Sequence, residues 1–288
     1  YLRFFRGTIL PMTLTYRWLG AAGLELAADG FVLLVDPFFT RPGRAAMVLG
    51  ARVAPDERLA ERYAPRADAV LVTHPHYDHL MDVPGILRRT GARAYGSPNT
   101  RALLGWRGIP AEQARQVSAG DQFQVGPFEV AALRGYHRPV PLARVWNGPL
   151  PRGGRRLPLR LSDYRMDACY CFRIRLGELT LLVGNPLEPV SGTAQVVFLA
   201  PYQPAGMLAR ALEAAQPRLV VPIHWDDFNR PLDRPLRPMR VTPGEGEGHF
   251  PPLRPVDLSA FARVVHAAAP DAVMQAPVLF QPVRLDPA

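Results

Sequence analysis

A stretch of six residues, 74–79, concentrates side chains of the types that bind metal ions. It reads H-x-H-x-D-H, and its metal-binding residues are His74, His76, Asp78 and His79. Residues 68–72 before it predict a short buried strand, and residues 80–89 after it predict a helix. The four side chains are therefore expected on a loop where they can converge on one point. Neutral imidazole and carboxylate oxygen are ligands that zinc prefers, whereas a satisfied core histidine would not explain this spacing.

The rest of the chain supplies landmarks that accompany this motif. In chain order they are a glycine turn at 18–23, an aspartate after a strand at 35–38, a histidine after the strand 128–133, a strand ending in Gly-Asn at 181–185, and Pro-Ile-His-Trp at 222–225. Together they resemble the metallo-β-lactamase-fold superfamily over roughly residues 13–230. Within this superfamily, the motifs are most similar to those of the branch of ascorbate-phosphate lactonase-like and N-acylphosphatidylethanolamine phospholipase D-like hydrolases.

This resemblance implies both a fold and a metal site. The fold is of the α/β (α+β) class, a four-layer αββα sandwich. By analogy with the family, one metal ion is held by His74, His76 and His137, and a second by Asp78, His79 and His224. Asp36 is expected to orient one ligand through a hydrogen bond. The expected metal is Zn²⁺, as one ion or two, with Mn²⁺ or iron as alternatives.

The resemblance also implies a reaction. A metal-bound hydroxide would be the nucleophile, since metal binding lowers the pKa of water to about 7, and Asp78 and His79 would be the catalytic residues. The predicted function is a metal-dependent hydrolase that acts on an ester, lactone or phosphodiester bond.

Asn185 departs from the family pattern, which has an aspartate that bridges both metals at this position. Asn185 is still expected to face the metals, but an amide oxygen is neutral and makes a poor bridge. The alternatives are one bound metal, two metals bound more weakly, a metal-binding member that is catalytically impaired, or a strand aligned incorrectly.

The chain reads as one domain, residues 13–288, behind an N-terminal flank, residues 1–12. It has 288 residues, 48% of them hydrophobic, which is ample material for a core. The flank is aromatic and basic, as beside a membrane anchor or signal segment that has been removed, or else it is an ordinary frayed end of a trimmed chain. Residues 229–255 are rich in proline and predict a loop.

All 34 basic residues are arginines, and the formal net charge of +9 favours anionic substrates or membrane surfaces. Residues 138–162 form a basic insertion beside His137, with six arginines and no acid. One interpretation is a lid that binds phosphate or carboxylate over the metal site; the other is a solvated loop in an arginine-rich protein. The residues expected to bind substrate are Arg138, Trp146, Tyr202 and Trp225.

The expected partner is a small-molecule or lipid-like substrate. Nucleic acid is not expected, because the chain carries no recognition motif for it. If a segment did precede the flank, the N-terminus would lie near a membrane, and the bacterial cell envelope would be favoured over the cytoplasm. Nothing in the sequence indicates an oligomeric state.

Overall fold

Two seven-stranded sheets form the centre of the molecule. This computed structural model describes residues 13–139, 143–190, 192–241 and 253–286. The first sheet contains β1 (Leu14–Gly20), β2 (Gly23–Ala28), β3 (Phe31–Val35), β4 (Ala69–Leu71), β5 (Arg93–Gly96), β6 (Ala114–Gln116) and β16 (Pro282–Leu285). The second contains β7 (Gln122–Val125), β8 (Phe128–Arg134), β9 (Tyr170–Leu176), β10 (Leu179–Val183), β11 (Val196–Leu199), β12 (Leu219–Pro222) and β15 (Val273–Met274). A separate pair joins β13 (Arg240–Val241) to β14 (Arg254–Pro255).

The two sheets repeat one order of strand pairing. The first runs β16-β1-β2-β3-β4-β5-β6, antiparallel as far as β3 and parallel beyond it. The second runs β7-β8-β9-β10-β11-β12-β15, antiparallel as far as β10 and parallel beyond it. Ligand sites in sheets with parallel strands lie outside the carboxyl ends of those strands. The loops after β4, β11 and β12 are therefore the places to look for a site.

Helices cover the outer faces of both sheets. They are α1 (Arg44–Val48), α2 (Glu57–Tyr63), α3 (Tyr77–Leu80), α4 (Val83–Thr90), α5 (Pro98–Trp106), α6 (Ala143–Trp146), α7 (Ala205–Ala215) and α8 (Leu258–Ala268), with short 3₁₀ helices at Ala111–Gln113 and Leu161–Asp163. Alternation along the strands separates the layers: Leu181 and Val183 face the other sheet, whereas Leu182 between them packs under α7 and α8. On the first sheet Leu34 likewise faces the helices. The predicted four-layer αββα sandwich is confirmed.

The structure differs from the sequence prediction in several elements. The helix expected over 80–89 begins only at Val83, as α4, and is separate from α3, which ends at Leu80, because Pro84 lacks the N–H that would continue one hydrogen-bond ladder through both. The insertion 138–162 contains α6, and the proline-rich segment 229–255 contains β13 and β14. The strand β16 had no counterpart in the prediction; it pairs with β1 at the edge of the first sheet.

Within the described residues, no helix has the length and apolar character needed to span a membrane. The N-terminal flank, residues 1–12, lies outside the described residues, as do residues 140–142 of the insertion and 242–252 of the proline-rich segment.

Candidate metal centre

Loops at the ends of three strands bring the predicted ligands together between the two sheets. Residues 73–79 follow β4, His137 follows β8, and His224 follows β12. The backbone of His224 has a φ of +58°, a left-handed conformation that is uncommon for a residue with a side chain. Its N–H donates a hydrogen bond to the carbonyl of Ala21 at 2.7 Å, which ties this loop to the glycine turn after β1. Strained conformations of this kind cluster at functional sites.

His74, His76 and His137 form the first triad, whose ligand atoms all lie within 4.8 Å of one another. One ring nitrogen of each is already engaged: Nδ1 of His74 lies 3.1 Å from Thr73 Oγ1, Nε2 of His76 lies 3.1 Å from the Trp146 carbonyl, and Nδ1 of His137 lies 2.8 Å from the Arg138 carbonyl. The other nitrogen of each ring is left for the centre. For His74 this is Nε2, which is buried and has no hydrogen-bond partner among the described residues.

The first triad is electrically neutral. Burial lowers the pKa of all three imidazoles, and that of His137 falls to about 3, because its histidine neighbours add to the effect of burial. Histidine must be neutral to bind a metal ion. At pH 7 these three side chains therefore need not lose a proton before they bind a metal ion.

Asp78, His79 and His224 form the second triad, also within 4.8 Å of one another. The Asp78 Oδ2 atom lies 3.4 Å from His79 Nε2 and 3.3 Å from His224 Nε2. On the far side of the His79 ring, Nδ1 lies 2.8 Å from Asp36 Oδ2. Asp36 also accepts hydrogen bonds from the backbone N–H and the hydroxyl of Thr73, so it fixes the orientation of the His79 ring.

Carboxylates dominate the electrostatics of the second triad. Burial alone would lower the pKa of His79, but Asp36 and Asp78 outweigh it and raise that pKa to about 10. Burial alone would raise the pKa of Asp78, but the neighbouring His79 and His224 hold it well below its usual range. At pH 7 without metal, the second triad thus contains an ionised carboxylate and a protonated imidazole.

The donor sets fit metal ions. In the first triad, Nε2 of His74 is a buried nitrogen without a partner in the described residues, and buried polar atoms of this kind normally have a partner. Imidazole nitrogen and carboxylate oxygen suit zinc, iron and their neighbours. His74, His76 and His137 would hold one ion, and Asp78, His79 and His224 a second.

Asn185 lies in the same pocket but its amide is engaged elsewhere. Its Oδ1 accepts a hydrogen bond from the backbone N–H of Ala200 at 3.0 Å, and its Nδ2 donates to the Ala200 carbonyl at 3.4 Å. The side chain therefore ties the end of β10 to the end of β11, as a backbone pair would. One of the two lone pairs of Oδ1 is therefore already used by the Ala200 N–H.

Three of the four predicted substrate residues lie beside the histidines. The Tyr202 ring meets the His224 ring edge-on at 5.8 Å, and Arg138 donates a hydrogen bond to the Tyr202 carbonyl. The Trp146 ring lies 6.4 Å from that of His76. Trp225 is not brought to the site: its ring stacks on Trp18 at 5.6 Å and packs against the core between the sheets, where an indole buries most of its apolar surface.

Within the described residues, the basic insertion touches the metal centre only through its N-terminal part, up to Asn147. Asn99, in the first turn of α5, donates to the carbonyl of Gly148, while Gly154 lies against the indole of Trp106 at the other end of that helix. The insertion thus runs along a helix of nine residues, about 13 Å long. Its arginines at 152, 155 and 156 are exposed and do not line the pocket around the histidines. The expected basic lid is not formed by this part of the insertion.

Sequence reasoning missed three polar residues of the centre. Thr73 contacts two histidines and Asp36, and its place directly before the H-x-H motif was a usable signal. Asn147 Oδ1 lies 3.3 Å from His76 Nε2. Gln203 lines the pocket, and its buried Oε1 has no hydrogen-bond partner among the described residues. Neither of these last two residues stands in a recognisable motif.

Sequence comparison identifies relatives of this chain. A family model described as a beta-lactamase superfamily domain matches residues 32–150. A UPF0173 metal-dependent hydrolase from Methanopyrus kandleri is 27% identical over 73% of this chain and 84% of its own length. A second, from Pyrobaculum arsenaticum, is 27% identical over 74% of this chain and 84% of its own length.

Solved structures share the fold at low sequence identity. Igni18, a metallo hydrolase from Ignicoccus hospitalis, matches with a TM-score of 0.61 at 18% identity, over 96% of this chain and 100% of that chain. CmlA, a diiron β-hydroxylase from Streptomyces venezuelae, matches with a TM-score of 0.57 at 16% identity, over 98% of this chain and 55% of that chain. Hydrolytic and oxidative proteins thus share this fold, and the chemistry has to be argued from the site.

Proposed function

Because the chain belongs to the metallo-β-lactamase superfamily and is a metal-dependent hydrolase, we propose that it cleaves an ester, lactone or phosphodiester bond at zinc ions held by the two triads. The observation that carries this proposal is the adjacency of the triads. Each gathers its ligand atoms within 4.8 Å, and both belong to one H-x-H-x-D-H loop completed by His137 and His224. The substrate we propose is a small or lipid-like molecule.

Zinc ions in such a centre lower the pKa of a bound water to about 7 and polarise an electrophilic oxygen of the substrate. The chain's own residues orient the reactants and handle protons. Asp78 remains ionised because of its two histidine neighbours, so its carboxylate can accept a hydrogen bond from the attacking water and orient it. Burial raises the pKa of the Tyr202 hydroxyl, so it stays protonated and can donate a hydrogen bond to a substrate oxygen beside His224.

A second candidate is a metal-binding member with weak hydrolytic activity. It is favoured by Asn185, whose amide is hydrogen-bonded to both backbone groups of Ala200. No negative charge then stands between two cations at this position, so their mutual repulsion is less well compensated. On this candidate the protein holds one zinc ion firmly and hydrolyses activated substrates slowly.

Elemental analysis of protein purified without added metal separates the two candidates. The first expects about two zinc ions per chain and the second about one. Hydrolysis of 4-nitrophenyl acetate and of bis(4-nitrophenyl) phosphate is then compared between the native protein, His74→Ala and His266→Ala. His266 is an exposed imidazole on α8, far along the chain from the motif, and serves as the matched control.

The proposal expects His74→Ala to abolish hydrolysis while His266→Ala leaves it unchanged. Equal activity in all three proteins would place the hydrolysis outside the triads. Protein that retains no metal after purification, and takes up none on titration with zinc, would reject both candidates.

A further inference from the structure

The basic insertion, residues 138–162, contacts the imidazole of His76 through one short segment. This inner segment, residues 144–148, contains Trp146 and Asn147, and each of them offers an oxygen to the ring. The Trp146 carbonyl lies 3.1 Å from His76 Nε2, and Asn147 Oδ1 lies 3.3 Å from the same nitrogen. The insertion therefore supplies two hydrogen-bond acceptors to one ligand of the first triad.

These contacts fix which nitrogen of His76 carries its hydrogen. A backbone carbonyl can only accept a hydrogen bond, so Nε2 of His76 must donate to Trp146. A neutral imidazole has one N–H, and its other nitrogen keeps a free lone pair. Histidine binds a metal ion through that lone pair. The inner segment thus selects Nδ1 of His76 as the nitrogen that can bind a metal ion.

The inner segment is itself held by residues that follow and precede the insertion. The Met166 N–H donates to the Trp146 carbonyl at 2.9 Å, and the Gly148 N–H donates to the Met166 carbonyl at 2.8 Å. The buried Asn99 of α5 donates to the Gly148 carbonyl at 3.0 Å. The Trp146 carbonyl therefore uses one lone pair for Met166 and the other for His76. The acceptors for His76 belong to a backbone that is already hydrogen-bonded to the rest of the fold.

His76 differs from the other two ligands of the first triad in where its partners come from. Nδ1 of His74 contacts the adjacent residue Thr73, and Nδ1 of His137 contacts the adjacent residue Arg138. The two groups that hold His76 lie 70 and 71 residues further along the chain. The orientation of His76 therefore depends on the docking of a distant segment, whereas that of its neighbours is set locally.

We propose that Asn147 is a positioning residue for zinc at the first triad, and that the inner segment and the metal ion stabilise each other. The insertion then orients a ligand, where the sequence suggested a lid that binds anions. The proposal rests on the proposed function only in taking His76 as a zinc ligand, so zinc binding tests it without any hydrolysis. Coupling between two binding events is reciprocal; if the docked segment favours zinc, zinc favours the docked segment.

The first test is a calorimetric zinc titration of Asn147→Ala. Placed in a His224→Ala background it reports on the first triad, and in a His74→Ala background on the second. Zinc binding at the first triad should weaken about tenfold, the lower end for loss of an orienting partner, because the Trp146 carbonyl remains. Binding at the second triad should not change. Arg156→Ala, an exposed position in the outer part of the insertion, is the control and should match its parent in both backgrounds.

Asn147→Asp separates positioning of His76 from a purely structural role of this side chain. The carboxylate keeps an acceptor at position 147, and its hydrogen bond to the ring N–H is charge-assisted and therefore stronger. A carboxylate partner also raises the basicity of a histidine that binds a metal ion. Asn147→Asp should therefore bind zinc at the first triad at least as tightly as native protein. Weakening equal to that of Asn147→Ala would overturn the positioning role.

The second test follows amide hydrogen exchange with and without zinc. By reciprocity, zinc should slow exchange at Gly148 and Met166, the amides that hold the inner segment, by about tenfold. Val53, whose N–H donates to the Leu159 carbonyl in the outer part of the insertion at 3.0 Å, is the internal control and should exchange at the same rate. The slowing should shrink in Asn147→Ala. No slowing at Gly148 and Met166, or equal slowing at Val53, would overturn the coupling.

Nitrogen-15 NMR of the metal-free protein checks the donor assignment directly, since it should show His76 as the Nε2–H tautomer. The Nδ1–H tautomer would overturn the proposal. Failure of the proposal and failure of the proposed function give different results. Zinc bound equally by native protein and Asn147→Ala would reject the positioning role alone. Zinc coupled to the inner segment, with no hydrolysis of either 4-nitrophenyl substrate, would support the positioning role and reject the hydrolase. Native protein that binds no zinc would reject both.

Discussion

The two triads lie side by side, yet they hold their histidines by different means. In the first, the nitrogens that face away from the centre contact a hydroxyl and two backbone carbonyls, all neutral groups. In the second, His79 lies between two carboxylates, those of Asp36 and Asp78. The consequence is a contrast in charge: burial takes the pKa of His137 to about 3, whereas the carboxylates outweigh burial and take that of His79 to about 10.

This contrast shows that the two triads exchange protons differently when they bind a metal ion. The first already holds neutral imidazoles, so binding there should release almost no proton near pH 7. The second must lose the proton of His79, so binding there should release about one proton per metal ion. The carboxylates that hold this proton also attract the cation that replaces it.

The largest expected effect comes from removing one ligand of either triad. His74→Ala should weaken zinc binding at the first triad by more than about 100-fold, because loss of an orienting partner alone costs up to that factor. His224→Ala should do the same at the second triad. Zinc titration by calorimetry in two buffers of different ionisation enthalpy measures affinity and proton release together.

The contrast predicts how many protons each variant releases when zinc binds to its remaining triad. The site left in His74→Ala should release about one proton per zinc ion, and the site left in His224→Ala almost none. His266→Ala should behave as native protein. Identical proton release in the two ligand variants would mean that the triads do not differ in charge as described.

The second prediction concerns the buried ion pair between Arg41 and Asp226, which supports the second triad only. Asp226 follows His224 by two residues, and its Oδ1 accepts a hydrogen bond from the Ala21 N–H at 2.9 Å. Arg41→Met should lower the free energy of unfolding by about 3 kcal/mol, since it leaves the Asp226 carboxylate buried without its partner. It should also weaken zinc binding at the second triad more than at the first, because it releases the loop of His224.

Urea unfolding and zinc titration of the same protein check both parts. Arg44→Met is the matched control, since Arg44 pairs with Asp227 on the same loop but its side chain is 59% exposed; surface pairs of this kind contribute little. An Arg41→Met protein with native stability would show that the pair does not hold the loop.

The candidate ligands could be identified from sequence because their spacing is local and their loops follow recognisable strands. His74, His76, Asp78 and His79 lie within six residues, and no distant contact is needed to group them. The Arg41–Asp226 pair could not be predicted in this way, since its partners are far apart in the chain and meet only in the folded protein. The direction of the basic insertion was likewise set by Asn99 and Trp106 of α5, side chains that belong to no motif.

The third prediction uses the pH dependence of the metal-free protein. His79 should titrate near pH 10 and His137 near pH 3 when followed by NMR. Because folding raises the pKa of His79, its protonation stabilises the fold fully at pH values below about 6.5, the pKa of histidine in the unfolded chain. This contribution is lost as the pH rises towards about 10. The lowered pKa of His137 acts in the opposite sense, because the unfolded chain binds the proton more readily; stability is lost as the pH falls from about 6.5 towards about 3.

Asp36→Asn sharpens this third prediction. It removes the larger of the two carboxylate effects on His79, so the pKa of His79 should fall while that of His137 stays where it was. The stabilisation between neutral and alkaline pH should shrink accordingly. If both pKa values moved together, the two triads would form one electrostatic unit and the contrast between them would fail.

The smallest expected change is Asn185→Asp, which bears on whether the triads act as a pair. A carboxylate at this position can be shared by two cations, so occupancy of the second triad should rise. The gain should be about tenfold or less, and loss of the hydrogen bond from Nδ2 to the Ala200 carbonyl should separately lower the free energy of unfolding by about 1 kcal/mol. Asn185→Ala is the control: it loses both bonds to Ala200 and adds no charge. Zinc titration of the two variants should therefore diverge, with tighter binding at the second triad in the aspartate variant and weaker binding in the alanine variant. Equal behaviour would mean that residue 185 serves only to join β10 to β11, and that each triad binds its metal without help from this position.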